Sequence, residues 1–216
     1  MFTYIPVKYV TVDRKRRLSF NGQAYPSVST ILAATKPEKD RLALQRWRKR
    51  VGVKQAQKIS TDACRRGTSI HTAINYFLAG QDLPDDVPNN PYWHSIEPVL
   101  ESVGEVHLIE SAVYHTEYKY AGRFDCLGSW ERELCVFDWK TASKPKKNEW
   151  VADYCLQLTA YTAAINHLYK VQIDRAIIAI ALQDQPAQIF RLNAEALSEY
   201  WQQFLIRLRL WEQQQA

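Results

Sequence analysis

The chain has 216 residues, 46% hydrophobic and 24% charged, a balance that excludes a disordered, fibrous or membrane-embedded protein. That length supports one full hydrophobic core, and no apolar run nears the ~20 residues of a membrane span. The net charge of +5 hides a split, +12 over residues 1–70 against −7 over the remainder. From charge alone, a polyanionic partner and a merely solvated basic surface weigh about equally.

Residues 4–12 and 16–20 read as short strands before Asn21-Gly22, a strong hairpin-turn dipeptide. Val28 to Ala34 reads as a short helix or turn. Thr35 with Glu38 three residues later has the spacing of a capping box, with Pro37 in the first turn, and predicts a helix to about Gly52. On it Leu44, Trp47 and Val51 share one face, which reads more readily as core than as a base-stacking platform, and Arg46 and Arg50 share another. A second helix is expected over about 61–78. It carries Arg65, Arg66, Gly67, His71 and Asn75, and a glycine within a helix suggests close approach by another backbone.

Residues 81–93 form a loop with three prolines, followed by a helix over about 93–103. Strands are expected at about 106–116, 119–128, 133–141, 174–183 and 187–192, with a long helix at about 149–169 between the third and fourth. Asn193 caps a last helix, 194–212, whose Leu197, Trp201, Phe204, Leu205, Leu208 and Trp211 mark a buried stripe. A helical crossover makes the strands it joins parallel. The predicted fold is therefore α/β, with a central mixed sheet flanked by helices and an N-terminal helical region. One domain is expected over 1–216. It comprises a hairpin and basic helices over 1–80 that contribute His71, a sheet core over 104–192, and a C-terminal helix over 193–216.

The segment 121–141, AGRFDCLGSWERELCVFDWKT, carries most of the chemistry. Asp125 ends one strand-like run. On the next, Asp138 and Lys140 point one way and Trp139 the other, because strand side chains alternate. Two carboxylates suit a hard divalent cation, and a lysine steadies developing negative charge. Asp-X-Lys alone is common on ordinary strands, so the case rests on the rest of the chain. His71 by itself reads as a structural helical histidine more often than as a ligand. Gln157 and Tyr161, spaced i, i+4 on the crossover helix, face together, beside Tyr154. Glu110 falls on the strand before Asp125, with Ala112 on the same face, as a supporting acid or a plain strand charge. Arg123 faces the same way as Asp125, toward phosphate or Glu110. The four cysteines (Cys64, Cys126, Cys135 and Cys155) form no C-x-x-C pair, sit in apolar contexts and read as buried free thiols.

Taken in order, G-x-x-x-H at 67–71, Glu110, G-R-F-D at 122–125, D-W-K-T at 138–141 and Q-x-x-x-Y at 157–161 resemble the RecB-like branch of the PD-(D/E)XK nucleases. The strings PSVSTIL, GTSIH, ESAVYH, FDCLG, ELCVFDWKT and QLTAY are more similar still to the mitochondrial genome maintenance exonuclease family. The likeness runs from about residue 26 to the C-terminus. It implies a restriction-endonuclease-like core and Mg²⁺- or Mn²⁺-dependent cleavage of single-stranded DNA from free ends, in replication, repair or recombination. Asp125, Asp138 and Lys140 become catalytic, and the metal ligands become His71, Asp125, Asp138 and the backbone carbonyl of Trp139. Gln157 and Tyr161 become substrate contacts. Arg123, Arg46, Arg50 and Arg66 are candidate substrate contacts from charge and position, and Glu110 stands behind the ligands.

Some relatives carry a four-cysteine iron–sulfur cluster with three cysteines late in the chain. None follows Cys155 here, so no cluster is expected, nor any nucleotide cofactor. The partner expected is single-stranded DNA, with no membrane. The N-terminus reads as neither a secretory nor a transit segment, so the expected setting is a cytoplasm of bacterial or phage type. A flap or double-strand endonuclease is the enzymatic alternative. A non-catalytic single-strand-binding module is the other, and it would be expected to lack one of His71, Asp125, Asp138 or Lys140.

Overall fold

The computed structural model describes residues 1–215. The central sheet has five strands in the order β10-β9-β8-β7-β4. These are β4 (Val103–Ile109), β7 (Cys126–Trp130), β8 (Glu133–Ala142), β9 (Ala176–Leu182) and β10 (Gln185–Leu192). Strands β8 and β9 pair in parallel, Asp138 opposite Ile178, and every other pairing in this sheet is antiparallel. The mixed sheet follows from the crossover helix α5 (Ala152–Tyr169), which must carry the chain from the end of β8 back to the start of β9.

Alternation along β8 divides the interior. Val136 joins a core beneath α1 (Val28–Ala34), α5 and α6 (Ala194–Gln213), while Phe137 and Trp139 join a second core beneath α3 (Val53–Leu78) and α4 (Pro91–Glu101). Helices thus cover both faces. Because Trp139 is fully buried on one side, Asp138 and Lys140 must face the other, toward α1 and α5.

A separate three-stranded sheet forms the front: β1 (Tyr9–Val12), β2 (Lys15–Phe20) and β3 (Gln23–Tyr25). Asn21 and Gly22 both take positive φ, 48° and 77°, and pair β2 with β3 as a tight hairpin. The first strand is shorter than the expected 4–12. Residues 4–8 form no strand, although Ile5 is held by Ser111 Oγ and Ala112 N–H.

Several expectations need correction. Thr35 does not cap α2 (Glu38–Val51), whose N-cap is Pro37. Thr35 instead ends α1, donating its hydroxyl to Ile31 O at 2.7 Å and accepting from the buried Arg207 on α6. The stripe of Leu44, Trp47 and Val51 is not core either, since α2 buries no residue and packs chiefly on α3. The second helix starts at Val53 rather than Thr61, so α2 and α3 are separated by Gly52 alone, at φ 83°. Gly67 meets no backbone; the nearest atom to a Cβ there is the Thr141 hydroxyl at 4.0 Å. Cys64 is exposed, while the other three cysteines are buried thiols.

The two strands expected at 106–116 and 119–128 are each broken in the middle. β4 gives way to β5 (Ala112–His115), and β6 (Tyr120–Arg123) gives way to β7. The breaks lie side by side: Glu110 N–H donates to Asp125 O at 2.8 Å and Phe124 N–H to Ser111 O at 3.2 Å. Glu110 takes the left-handed conformation, φ 52°, which costs a residue other than glycine backbone energy. Irregularities of this kind re-aim side chains, and here they present two acids at one point.

Candidate active site

Five elements meet at the broken strands. Asp138 and Lys140 come from β8, Asp125 from the break after β6, Glu110 from the break after β4, and His71 from α3; α5 supplies Gln157 and Tyr161. His71, Asp125, Asp138, Lys140, Gln157, Tyr161 and Arg123 all line one polar cavity of about 370 Å³. A second cavity, of about 590 Å³, opens on the other side of His71, Arg123 and Glu110 and is lined further by Thr68, Thr72 and Asn75.

The polar contacts are specific. Trp139 N–H donates to Asp125 Oδ2 at 2.7 Å, so β8 fixes the carboxylate as well as flanking it. His71 Nε2 lies 2.7 Å from Trp139 O; a carbonyl only accepts, so the proton is on Nε2. That leaves His71 Nδ1 facing Glu110 Oε1 at 3.8 Å and Asp125 Oδ2 at 3.9 Å. Arg123 partners Glu110 at 2.8 Å, one of its two expected roles. Lys140 Nζ lies 2.5 Å from Asp138 Oδ2 and 5.4 Å from the centroid of the Tyr154 ring. That Asp138 oxygen makes no well-directed hydrogen bond, although the residue is only 2% exposed.

Charge follows burial here. Desolvation and the nearby Asp138 push the Asp125 carboxyl up from 3.8 to about 6. Burial alone would pull Lys140 down, but Asp138 and Asp125 outweigh it and hold the ammonium above its usual range. His71 shows the same contest: burial pulls it down, while Glu110 and Asp125 raise it. Glu110 goes the other way, its burial offset by His71 and Arg123 so that it stays below the usual carboxylate range.

One donor atom each from His71, Glu110 and Asp125 lie within 4.8 Å of one another, a set able to hold a cation. Asp138 is not in that group. It faces the same cavity, with its carboxylate turned to Lys140. The kink at Glu110, which strand alternation cannot reveal, brings this acid beside His71. A set of carboxylates with one imidazole suits a divalent ion that prefers oxygen.

On α5, Gln157 Nε2 donates to Tyr161 Oη at 3.0 Å, so the two share a face. The Tyr161 ring packs onto Gly122, where a Cβ would overlap Cε1 and come within 3.0 Å of Cζ. Gly122 is therefore part of the site, and its signal lies in the G-R-F-D string. The remaining candidates lie outside the cavity. Arg66 donates to Thr141 Oγ1 at 3.1 Å and lies over the Tyr92 ring at 4.9 Å, while Arg46 and Arg50 stay exposed on α2. The sequence does not reveal a further wall formed by Tyr9, Arg16, Leu18, Ser27, Ser29 and Thr30. Nothing in the spacing of the front hairpin places it here.

Comparison with known proteins identifies the family. Residues 42–215 match the model of the PD-(D/E)XK nuclease superfamily. Mitochondrial genome maintenance exonuclease 1 of Mus musculus is 31% identical over 92% of this chain and 62% of its own length. The Homo sapiens protein of that name is 31% identical over 89% and 59%. The chain thus spans about three fifths of these relatives' length. LHK-Exo in complex with dAMP, an alkaline exonuclease from Laribacter hongkongensis, aligns over 88% of this chain and 89% of its own at 12% identity. Its TM-score is 0.41. The expectation of a cytoplasmic protein of bacterial or phage type is corrected here, because the curated relatives are named as mitochondrial and come from animals. Among the described residues no helix is long and apolar enough to cross a membrane.

Proposed function

The chain belongs to the PD-(D/E)XK nuclease superfamily, and on that footing we propose that it is a divalent-metal-dependent exonuclease that hydrolyses single-stranded DNA from free ends. The observation that carries this reading is one cavity lined at once by His71, Asp125, Asp138, Lys140, Gln157 and Tyr161. All four residues whose loss would mark a non-catalytic relative are present and converge.

Mg²⁺ or Mn²⁺ would be held by His71, Asp125 and Glu110, with Asp138 and the Trp139 carbonyl beside them. Bound there, the cation supplies Lewis acidity and charge neutralisation at the scissile phosphate. The protein's own groups do the rest. Lys140, its ammonium held above the usual range by Asp138 and Asp125, presents a positive charge toward a nonbridging oxygen. Asp138 holds that ammonium against the cavity. Gln157 and Tyr161 orient each other, which leaves the second amide N–H of Gln157 and the Tyr161 hydroxyl to position the phosphodiester. Arg123 neutralises Glu110 and reaches both cavities, so it borders the path of the strand. The exposed arginines of α2, Arg46 and Arg50 on one face and Arg48 on another, would take the strand outside the site.

Incubating end-labelled linear single-stranded and duplex DNA with Mg²⁺, with Mn²⁺ or with chelator tests this reading. Mononucleotide or short-oligonucleotide release from the single strand, dependent on the cation, is expected. Cation-independent cleavage, or cleavage of duplex alone, would overturn it.

A further inference from the structure

The nuclease motifs leave one wall of the catalytic cavity without a role. The front sheet and the start of α1 form it, and they are tied firmly to the strand that delivers Asp125. Ala121 N–H donates to Pro26 O at 3.0 Å, Ser27 bridges to Ala121, and Leu18, Phe20 and Tyr25 share a small core with Ala112 and Ala121. The wall therefore holds its place relative to the acids.

Arg16 is the group on this wall that calls for a ligand. Its guanidinium carbon stands 3.5 Å from the centroid of the Tyr9 ring, a stacking that favours one orientation of the planar fork. The other cations on the cavity are committed, Lys140 to Asp138 and Arg123 to Glu110. Among the described residues Arg16 has no carboxylate within ion-pair distance. On the same cavity, the hydroxyls of Ser29 and Thr30 contact only the Ser27 hydroxyl, at 3.0 and 2.8 Å, and each can make a further hydrogen bond. A guanidinium that shares one cavity with free hydroxyls and an acidic floor is chemistry for a phosphodiester.

We infer that Arg16, with Ser29 and Thr30, forms a binding subsite for the phosphate next to the one being cut, with Tyr9 fixing the guanidinium. This rests on the nuclease reading of the cavity. Held by two successive phosphates, a strand is registered along its backbone without any base being read, since phosphate contacts position and do not specify.

The test is Arg16→Ala, with Arg16→Lys beside it and Arg209→Ala, on the exposed side of α6, as the charge control. Binding of a short fluorescein-labelled oligothymidylate in chelator is followed against salt, and steady-state cleavage in Mg²⁺. Arg16→Ala is expected to raise KM about tenfold, as for removal of one hydrogen bond to a charged group, with kcat within about twofold. The slope of log affinity against log salt should fall by about 0.7, one single-strand phosphate contact. Lysine should recover the slope and only part of the affinity, because it cannot reproduce the fork, and Arg209→Ala should change neither. An unchanged KM and slope, or an equal weakening in Arg209→Ala, would overturn the subsite. Wild-type protein that binds through Arg16 and cuts nothing would instead remove the nuclease reading and leave the phosphate site standing.

Discussion

His71 donates its Nε2–H to the carbonyl oxygen of Trp139 at 2.7 Å, tying helix α3 to the buried strand β8 at the edge of the acid cluster. The ring's other nitrogen faces Glu110 and Asp125. Asp125 carries the cost of this crowding, its carboxyl pushed from 3.8 to about 6 by burial and by Asp138. A raised folded-state pKa gives stability that is full below the unfolded value and lost as pH rises through about 6. His71, also raised, adds to the same trend. At about 1.4 kcal/mol per pH unit, the Asp125 displacement amounts to roughly 3 kcal/mol. Metal-free protein should therefore lose melting temperature to this cluster between about pH 4 and pH 7. Mg²⁺ or Mn²⁺ should restore it above pH 6 and do little at pH 4.5. Asp125→Asn should remove most of both effects in thermal melts, and a cation response undiminished in that variant would refute the assignment.

Gly122 and Tyr161 are in such close contact that Gly122→Ala must displace the ring. The movement would break the hydrogen bond from Gln157 and withdraw the Tyr161 hydroxyl from the cavity. Overpacking of this kind costs about 1–3 kcal/mol. Cleavage should fall more than the melt predicts, because two positioning groups are disturbed together. Tyr161→Phe should keep the fold and lose only part of the activity. Wild-type kinetics in Gly122→Ala would show that Tyr161 and Gln157 play no part in positioning.

How much of this can be read in the sequence depends on the element. The mixed sheet, the parallel β8–β9 pair and the opposed faces of Asp138 and Trp139 follow from the crossover helix and from alternation, both local signals. The breaks at Glu110 and Asp125 do not, because a left-handed glutamate between two apolar runs has no signature in a single chain. Thr35 and Glu38 have the right spacing for a cap, but Arg207, 172 residues away, claims the Thr35 hydroxyl. The front hairpin is legible at its Asn21-Gly22 turn, while its place against the candidate cavity rests on long-range contacts with Ser111, Ala112 and Ala121.

Helix α2 buries none of its residues, so its arginines can be reversed without harming the fold. Arg46, Arg48 and Arg50 changed together to Glu should leave the melting temperature within a few degrees of wild type. Binding to single-stranded DNA should weaken and its salt dependence flatten, by about 0.7 in slope for each phosphate the helix no longer neutralises. An unchanged slope would show that the strand does not cross this helix.

His115 should contribute to the acid limit of the fold. Its ring is buried, stacked 4.0 Å from His167, and accepts at Nδ1 from Tyr118 N–H at 3.3 Å. Burial, with His167 and Lys170 nearby, pulls its pKa from 6.5 to about 4. A lowered folded-state pKa gives stability present above 6.5 and lost as pH falls through about 4, here at most roughly 3 kcal/mol. His115→Phe should flatten the acid side of the stability profile, as followed by urea denaturation between pH 7 and pH 4. An identical profile in the variant would place the acid sensitivity elsewhere.

The central claim is that Lys140 and the acids beside it cut a strand entered from its end. Linear and circular single-stranded DNA, given to wild type and to Lys140→Ala with and without Mg²⁺, tests it most directly. Wild type should shorten the linear strand only with the cation and leave the circle intact, and Lys140→Ala should bind the strand without cutting it. Equal cleavage by the variant would contradict the role of Lys140, and cleavage of the circle would contradict entry from an end.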